Sequence, residues 1–444
     1  MKKKQIFACI CATFCLLSAS ACSFGNATAL QKPPKTENLK YEEHYKEDFM
    51  AFKQNVDAFS SQLSESVYKT KTQTENFTVS PVSVFMALSL AAECAEGDTK
   101  TEILNALGVD YDALKTHTAT LYRSLSQSYT ADGVFGKKTT GQLKLSNSVW
   151  LDKSAEVKQE RLDVLASDYF CYSYEADFFN DNQAANLAVQ DFVKEQTKGK
   201  INRDFDLSEE TLFALINTLY LKDVWTYDGD ELQLTNDTYN FTAADGSITP
   251  KKLLMSNYRL GRAYETENYS YFLTSTYHGY LIKLIVPKDG YAVSDVFTAE
   301  TLNEVQSVRD FDAEDEENLI RYHTRCLFPE YKASYNDDIK TILQENFGVL
   351  SLFDQKTCNL NGLLNQNGLI TENAYCPKLI HTTKLEVNRK GIEGAAVTVV
   401  PGAGAPGPDA YKNVYVDFIV DRAFAFIITD SHDVALFSGV VETI

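Results

Sequence analysis

The groups that could do covalent or metal chemistry in this 444-residue chain are its six histidines and nine cysteines. Their spacing leaves little of that chemistry standing. No histidine pair forms HExxH, no Cys/His run has metal-ligand spacing, no serine sits in GxSxG, and no glycine-rich phosphate loop follows a strand. The sequence gives no expectation of a metal or a cofactor. Cys376 and His381 are close enough to suggest a thiol nucleophile with its base, and hence a thiol hydrolase. The helpers of a catalytic cysteine need be adjacent only in space, so chance is the better account of that pair. Cys9, Cys11, Cys15 and Cys22 belong to an N-terminal leader, which leaves Cys94, Cys171, Cys326, Cys358 and Cys376. An odd number at irregular spacing reads as small buried hydrophobes rather than as a disulfide framework. One disulfide stays open, with no pair singled out.

What remains is a segment built to be acted upon. Residues 388–400, Asn-Arg-Lys-Gly-Ile-Glu-Gly-Ala-Ala-Val-Thr-Val-Val, alternate like a β-strand. Ile392, Gly394, Ala396, Thr398, Val400 and, just beyond, Gly402 form an uncharged face, and Glu393 points the other way. The strand pattern runs straight into Pro401-Gly-Ala-Gly-Ala-Pro-Gly-Pro408, where proline and glycine dictate an exposed, extended loop. The elements that must carry this segment are partly legible. Phe49, Phe52, Val56, Phe59, Leu63 and Val67 recur at helical spacing and predict an amphipathic helix. The apolar runs 280–286, 414–420, 424–428 and 435–437 predict short strands covered on both faces. The acidic cluster Asp312 to Glu317 reads as a solvated loop.

Several passages resemble the serpin family, in that family's order, from residue 76 to residue 439. Asn76-Phe-Thr-Val-Ser-Pro-Val-Ser-Val-Phe-Met-Ala-Leu88 is similar to the segment in which a Ser-Pro turn opens a buried helix. Leu145-Ser-Asn-Ser-Val-Trp-Leu151 is similar to the family's second strand, Thr197-Lys-Gly-Lys-Ile201 to its Thr-x-Gly-Lys-Ile turn, and Ala214-Leu-Ile-Asn-Thr-Leu-Tyr-Leu-Lys-Asp-Val-Trp225 to the strand carrying a buried Asn and Trp. Phe418-Ile-Val-Asp-Arg-Ala-Phe424 and Leu436-Phe-Ser-Gly439 near the C-terminus resemble its two closing strands. The resemblance implies an α+β serpin fold, with helices packed around a large mixed main sheet, two smaller sheets and an exposed reactive loop at about 389–413. It implies a protein that is not an enzyme but a suicide inhibitor. A serine protease, possible cysteine proteases aside, cuts the loop, and the hinge Gly391, Ile392, Glu393, Gly394, Ala395, Ala396, Val397 and Thr398 then enters the main sheet. Ser80, Ser83, Asn217 and His381 would form a buried cluster under that sheet, with Trp225 at the top of the opening. The family's spacing puts the cleaved bond at Ala405-Pro406. Proline after the bond obstructs most serine proteases, so Ala403-Gly404 is an alternative, and a longer loop would allow Tyr411 or Lys412. Small apolar residues favour an elastase-like target. The hinge departs from the family by carrying Arg389 and Lys390 where acidic residues are usual. A non-inhibitory serpin-like carrier or chaperone is the alternative function.

The chain is 44% hydrophobic, enough for one large domain over residues 44–444 with no internal linker, and a monomer is expected. Its formal charge of −19 makes nucleic acid a poor partner. Residues 1–21 read as an export signal, with Lys2-Lys-Lys4, an apolar run and Ser18-Ala-Ser-Ala before Cys22. Cys22 is then the lipidation site of a membrane-anchored surface lipoprotein of bacterial type, with plain secretion as the alternative that fatty-acid labelling would reveal. Residues 22–43 are expected to be a tether.

Overall fold

The computed structural model describes residues 24–36, 43, 45–71, 75–133, 136–225, 231–309, 311–365, 374–392 and 411–444. Cys22, the hinge residues Glu393 to Thr398 and the bonds Ala403-Gly404 and Ala405-Pro406 lie outside them.

The helix Glu47–Lys69 buries Phe49, Phe52, Val56, Phe59, Leu63 and Val67, the stripe its periodicity predicts. Ser80 stands at the N-cap of the helix Pro81–Cys94, and Pro81 takes the first-turn position where a missing N–H does no harm. All of that helix is buried. It packs between the main-sheet strand Phe213–Val224 and the strand Ala435–Val441, which explains why apolar residues occur on every side of it.

The main sheet has eight strands. From one edge they are Thr28–Gln31, Cys171–Ala176, Gly136–Asp152, Phe213–Val224, Gly391–Ile392, Ile380–Asn388 and Tyr331–Asp338, with Ser126–Gly133 folded back on Gly136–Asp152. One pair, Gly136–Asp152 with Cys171–Ala176, is parallel while its neighbours are antiparallel, so the sheet is mixed. A six-stranded sheet contains Leu281–Pro287, Phe424–Thr429 and Ala435–Val441, every residue of which is buried. A five-stranded sheet is centred on Ile320–Phe328, and a two-stranded ribbon, Tyr239–Thr242 with Ile248–Lys251, adds to the two smaller sheets expected.

Three expectations need correction. Residues 22–43 are not a tether throughout, because Thr28–Gln31 pairs with Cys171–Ala176 and covers its edge. Phe24 is buried edge-on to Tyr174 and Phe192, at ring-centroid distances of 5.7 and 5.5 Å. One aromatic and one free sheet edge fix a segment whose composition is that of a linker. Second, the run 414–420 is not covered on both faces. Its strand, Lys412–Ile419, pairs in parallel with Ile320–Phe328, yet only Phe418 is buried in it. Third, the acidic cluster contains a short strand, Glu314–Asp315, paired with Arg321 and Ile320.

Candidate functional site: the hinge and the seam of the main sheet

Phe213–Val224 and Ile380–Asn388 form the two sides of a seam in the main sheet, and Gly391–Ile392, where the expected reactive loop begins, stands between them. Gly391 pairs with Val224 on one side and Asn388 on the other; Ile392 pairs with Asp223 and Val387. Gly391 has φ +146°, and a Cβ there would lie 2.0 Å from the Asp223 carbonyl oxygen. Only glycine fits. Ile392 is 1% exposed. Trp225, also buried, donates its Nε1–H to the Asn388 carbonyl at 2.7 Å and packs on Phe328, so it ties one side of the seam to the other just above the hinge.

The unusual basic pair before the hinge has its own partner. Glu231 receives Arg389 at 3.2 Å and Lys390 at 3.9 Å, while the Arg389 backbone N–H donates to Glu330. All three side chains of the Glu231 group are substantially exposed, so this clamp is weak and screened by salt.

Deeper in the seam, the Ser80 backbone N–H donates to His381 Nε2 at 3.1 Å. That bond leaves the ring proton on Nδ1. Burial holds the His381 pKa down at about 3, so the ring is neutral. On the other side, the Ser83 hydroxyl donates to Asn217 Oδ1, Asn217 Nδ2 donates to Asn147 Oδ1, and Asn147 Nδ2 donates to the Tyr169 carbonyl at 2.8 Å. The four residues therefore fall into two half-networks, with no hydrogen bond joining His381 to Asn217 among the described residues. The Ser80 hydroxyl has no partner among them either. Asn147 is a member that sequence reasoning missed. It stands directly opposite Asn217 in the strand register, and only that register could have revealed it.

A second missed pair sits beside the hinge. Asp223, fully buried, accepts from the His278 backbone N–H at 3.0 Å, and its Oδ1 lies 2.5 Å from His278 Nδ1. Tyr129 stacks on the imidazole at 4.1 Å. The available signal was an aspartate near the end of a largely apolar strand, which requires a partner when buried.

The thiol reading fails on geometry. Cys376 is 2% exposed and its Sγ–H donates to the Lys378 carbonyl at 3.1 Å. Burial pushes the thiol up to about 12, away from the thiolate a nucleophile needs. The His381 Nε2 is already engaged. All five cysteines from Cys94 onward are free and buried.

Tyr411 and Lys412 are likewise poor places to cut. The Lys412 N–H donates to the Leu319 carbonyl at 2.7 Å, and the Arg321 guanidinium lies over the Tyr411 ring at 4.9 Å. A protease must hold its substrate extended with free backbone groups, and here the sheet already holds them.

Comparison with known proteins agrees with this geometry. The family model described as serpin (serine protease inhibitor) matches residues 54–444. Iripin-1 of Ixodes ricinus is 26% identical over 83% of this chain and 89% of its own length. Intracellular coagulation inhibitor 1 of Tachypleus tridentatus is 25% identical over 86% of this chain and 88% of its own. The crystal structure of the thermophilic serpin tengpin in the native state superposes with a TM-score of 0.68 at 21% identity, covering 94% of this chain and 100% of that one.

Proposed function

Since the chain belongs to the serpin family, a family of serine protease inhibitors and not of catalysts, we propose that it traps its target by inserting the cleaved reactive loop into the seam of the main sheet. The observation that carries this reading is the two-sided pairing of Gly391 and Ile392. Continuing the same register sets Gly394 between Leu221 and Leu385, Ala396 between Leu219 and Thr383, and Thr398 between Asn217 and His381. Leu385, Thr383 and His381 all point inward and are buried. The face defined by Ile392, Gly394, Ala396 and Thr398 would thus turn into the core, and Thr398 would arrive where the two half-networks face each other without a direct bond. Its hydroxyl suits that place. The alternating Glu393 stays outward.

The chemistry belongs to the protease. Its serine attacks a loop carbonyl, the peptide bond breaks, and the upstream chain, which carries most of the inhibitor, is held as an ester, while the new downstream amine takes up the proton and stays with the C-terminal strands. Each ladder hydrogen bond formed on insertion contributes about 1 kcal/mol, and the methyl and methylene groups of the inward face add their burial. Insertion carries the ester-linked protease along the sheet and distorts its site before water can complete the cycle. Inhibition or simple cleavage is decided by that race.

The target is read as elastase-like. Ala403 and Ala405 are the residues whose side chains fit a shallow pocket, and Pro406 makes Ala403-Gly404 the easier bond for most serine proteases. The test is to mix the protein with elastase-like, chymotrypsin-like and trypsin-like enzymes. An SDS-resistant complex of summed mass, with the elastase-like enzyme trapped fastest, is the expected result. A cut loop with fully active protease throughout the panel would reject trapping and favour a carrier role.

A further inference from the structure

Downstream of the reactive loop the strand Lys412–Ile419 carries one face that nothing in the main-sheet mechanism uses. Asn413, Tyr415 and Asp417 alternate along it, opposite Arg321, His323 and Arg325 of the neighbouring strand. Arg259–Leu260 lies on the far side of that neighbour, with Leu260 opposite His323. Together they place Tyr258, Leu260, His323, Arg325, Tyr415 and Asp417 on one surface. Tyr415 is 60% exposed, Leu260 53% and Tyr258 41%. Single exposed apolar residues need no explanation, but these are contiguous.

The surface is also locked. His323 stacks on Tyr415 at 4.9 Å, Tyr258 meets Tyr415 edge-on at 5.1 Å, and the Arg325 guanidinium lies over Tyr258 at 5.0 Å. Asp417 accepts from Arg325 Nε at 2.7 Å, and Asn413 Oδ1 accepts from His323 Nε2 at 2.9 Å. Tyrosine and arginine are the residues that dominate binding energy at protein interfaces. Held in place before contact, they lose little rotamer entropy on docking.

We infer that this aromatic face is a docking surface for the body of the target protease, on the side of its active site that receives residues beyond the cleaved bond. The inference rests on the reading of residues 393–410 as the protease-cut loop. Continuity with that loop selects the partner. Tyr415 is three residues past Lys412, about 10 Å along a strand. A protease domain of roughly 200 residues has a radius of gyration of about 16 Å, so an enzyme engaged on the loop overlies this face. The contact has a limited lifetime. Once the bond is cut, the upstream part of the loop moves into the main sheet with the protease while Lys412–Ile419 stays paired with Ile320–Phe328, so the face acts on encounter and not on the trapped product.

The experiment uses the full chain and the fastest-cutting elastase-like serine protease, and it reads the second-order rate of loop cutting whether or not trapping follows. Tyr415→Ala and Tyr258→Ala should each lower that rate about tenfold, and weaken binding of the same protease with its catalytic serine changed to alanine by a similar factor. Tyr415→Phe should retain the rate. Moles of inhibitor consumed per mole of enzyme, and the melting temperature, should not move. Unchanged cutting rates and binding in both alanine variants would overturn the proposal. So would variants that only abolish self-association, since a second copy would then be the occupant. Loss of trapping with normal cutting rates would instead count against the insertion reading and leave the face intact.

Discussion

The strands on either side of the reactive loop, Ile380–Asn388 before it and Lys412–Ile419 after it, are organised on opposite principles. Upstream, alternate residues are buried and the neutral His381 imidazole accepts from the Ser80 backbone, facing the Asn217–Asn147 pair across the seam. Downstream, seven of eight residues are not buried and the side chains are held by stacking and an exposed ion pair. On the proposed mechanism, cleavage frees the loop to enter the seam beside Ile380–Asn388 with the protease attached, while Lys412–Ile419 stays in its own sheet. A change in the seam should therefore alter the fate of a captured enzyme, whereas a change on the face should alter how often capture begins.

The largest effect should come from charge placed in the seam. Ala396→Arg and Thr398→Arg would bring an unpaired guanidinium between buried residues, at about 3–5 kcal/mol, or stop insertion short. Deacylation then wins. Both variants should be cut at the normal rate, turn from inhibitor to substrate, and lose the rise in melting temperature that follows nicking of the wild-type loop. Glu393→Arg, one position over, should do much less. If all three inhibit equally well, residues 394–398 do not enter the sheet, and the contrast between the two strands loses its functional meaning.

Acid should weaken the seam next. The unfolded chain takes up a proton at His381 near pH 6.5, but the buried ring in the native state holds out to about 3. Stability contributed by the neutral ring is present above pH 6.5 and is lost as pH falls towards 3, by up to about 1.4 kcal/mol per pH unit. His432, lowered to about 4, acts in the same direction. Asp57, raised by burial to about 6, acts oppositely, because its protonated form is favoured in the native state and its contribution is lost as pH rises from 4 to 6. The informative quantity is thus the difference between wild type and His381→Gln. Urea midpoints at pH 7 and pH 5 should fall more in the wild type. Parallel falls would mean that His381 is not the group that resists protonation.

Much of this was legible in the chain. The helix Glu47–Lys69 follows from its stripe, the buried place of Ile392 from the period of two, and Pro81 from its place after Ser80. What was not legible depends on neighbours distant in sequence. Asn147 meets Asn217 only through the register of two strands, and Asp223 finds His278 only in the turn between Tyr269–Ser275 and Leu281–Pro287 of another sheet. Phe24 gives no periodic signal because a single ring docks into a site made by Tyr174 and Phe192. The run 414–420 misled for a related reason. An apolar strand states that it can be covered, and whether a layer lies over it is decided by the rest of the fold.

The smallest effect should be on the stability of the exposed face. Arg325 and Asp417 make a close ion pair, yet both side chains are roughly a third exposed, and such pairs contribute about 0–1 kcal/mol. Asp417→Ala should leave the melting temperature nearly unchanged. It should still slow loop cutting by about two- to threefold, because Arg325 is released from over Tyr258 and must be ordered again on docking. Ser83→Ala is the matching change in the seam. It removes a hydrogen bond from Asn217 Oδ1 in a buried place and should destabilise by about 1–3 kcal/mol, while leaving the cutting rate alone. Thermal unfolding and cutting rates of the two variants measured side by side decide the matter. If Asp417→Ala destabilises as much as Ser83→Ala, the face is a structural support rather than a prepared contact surface, and the division between a seam that governs fate and a face that governs encounter does not hold.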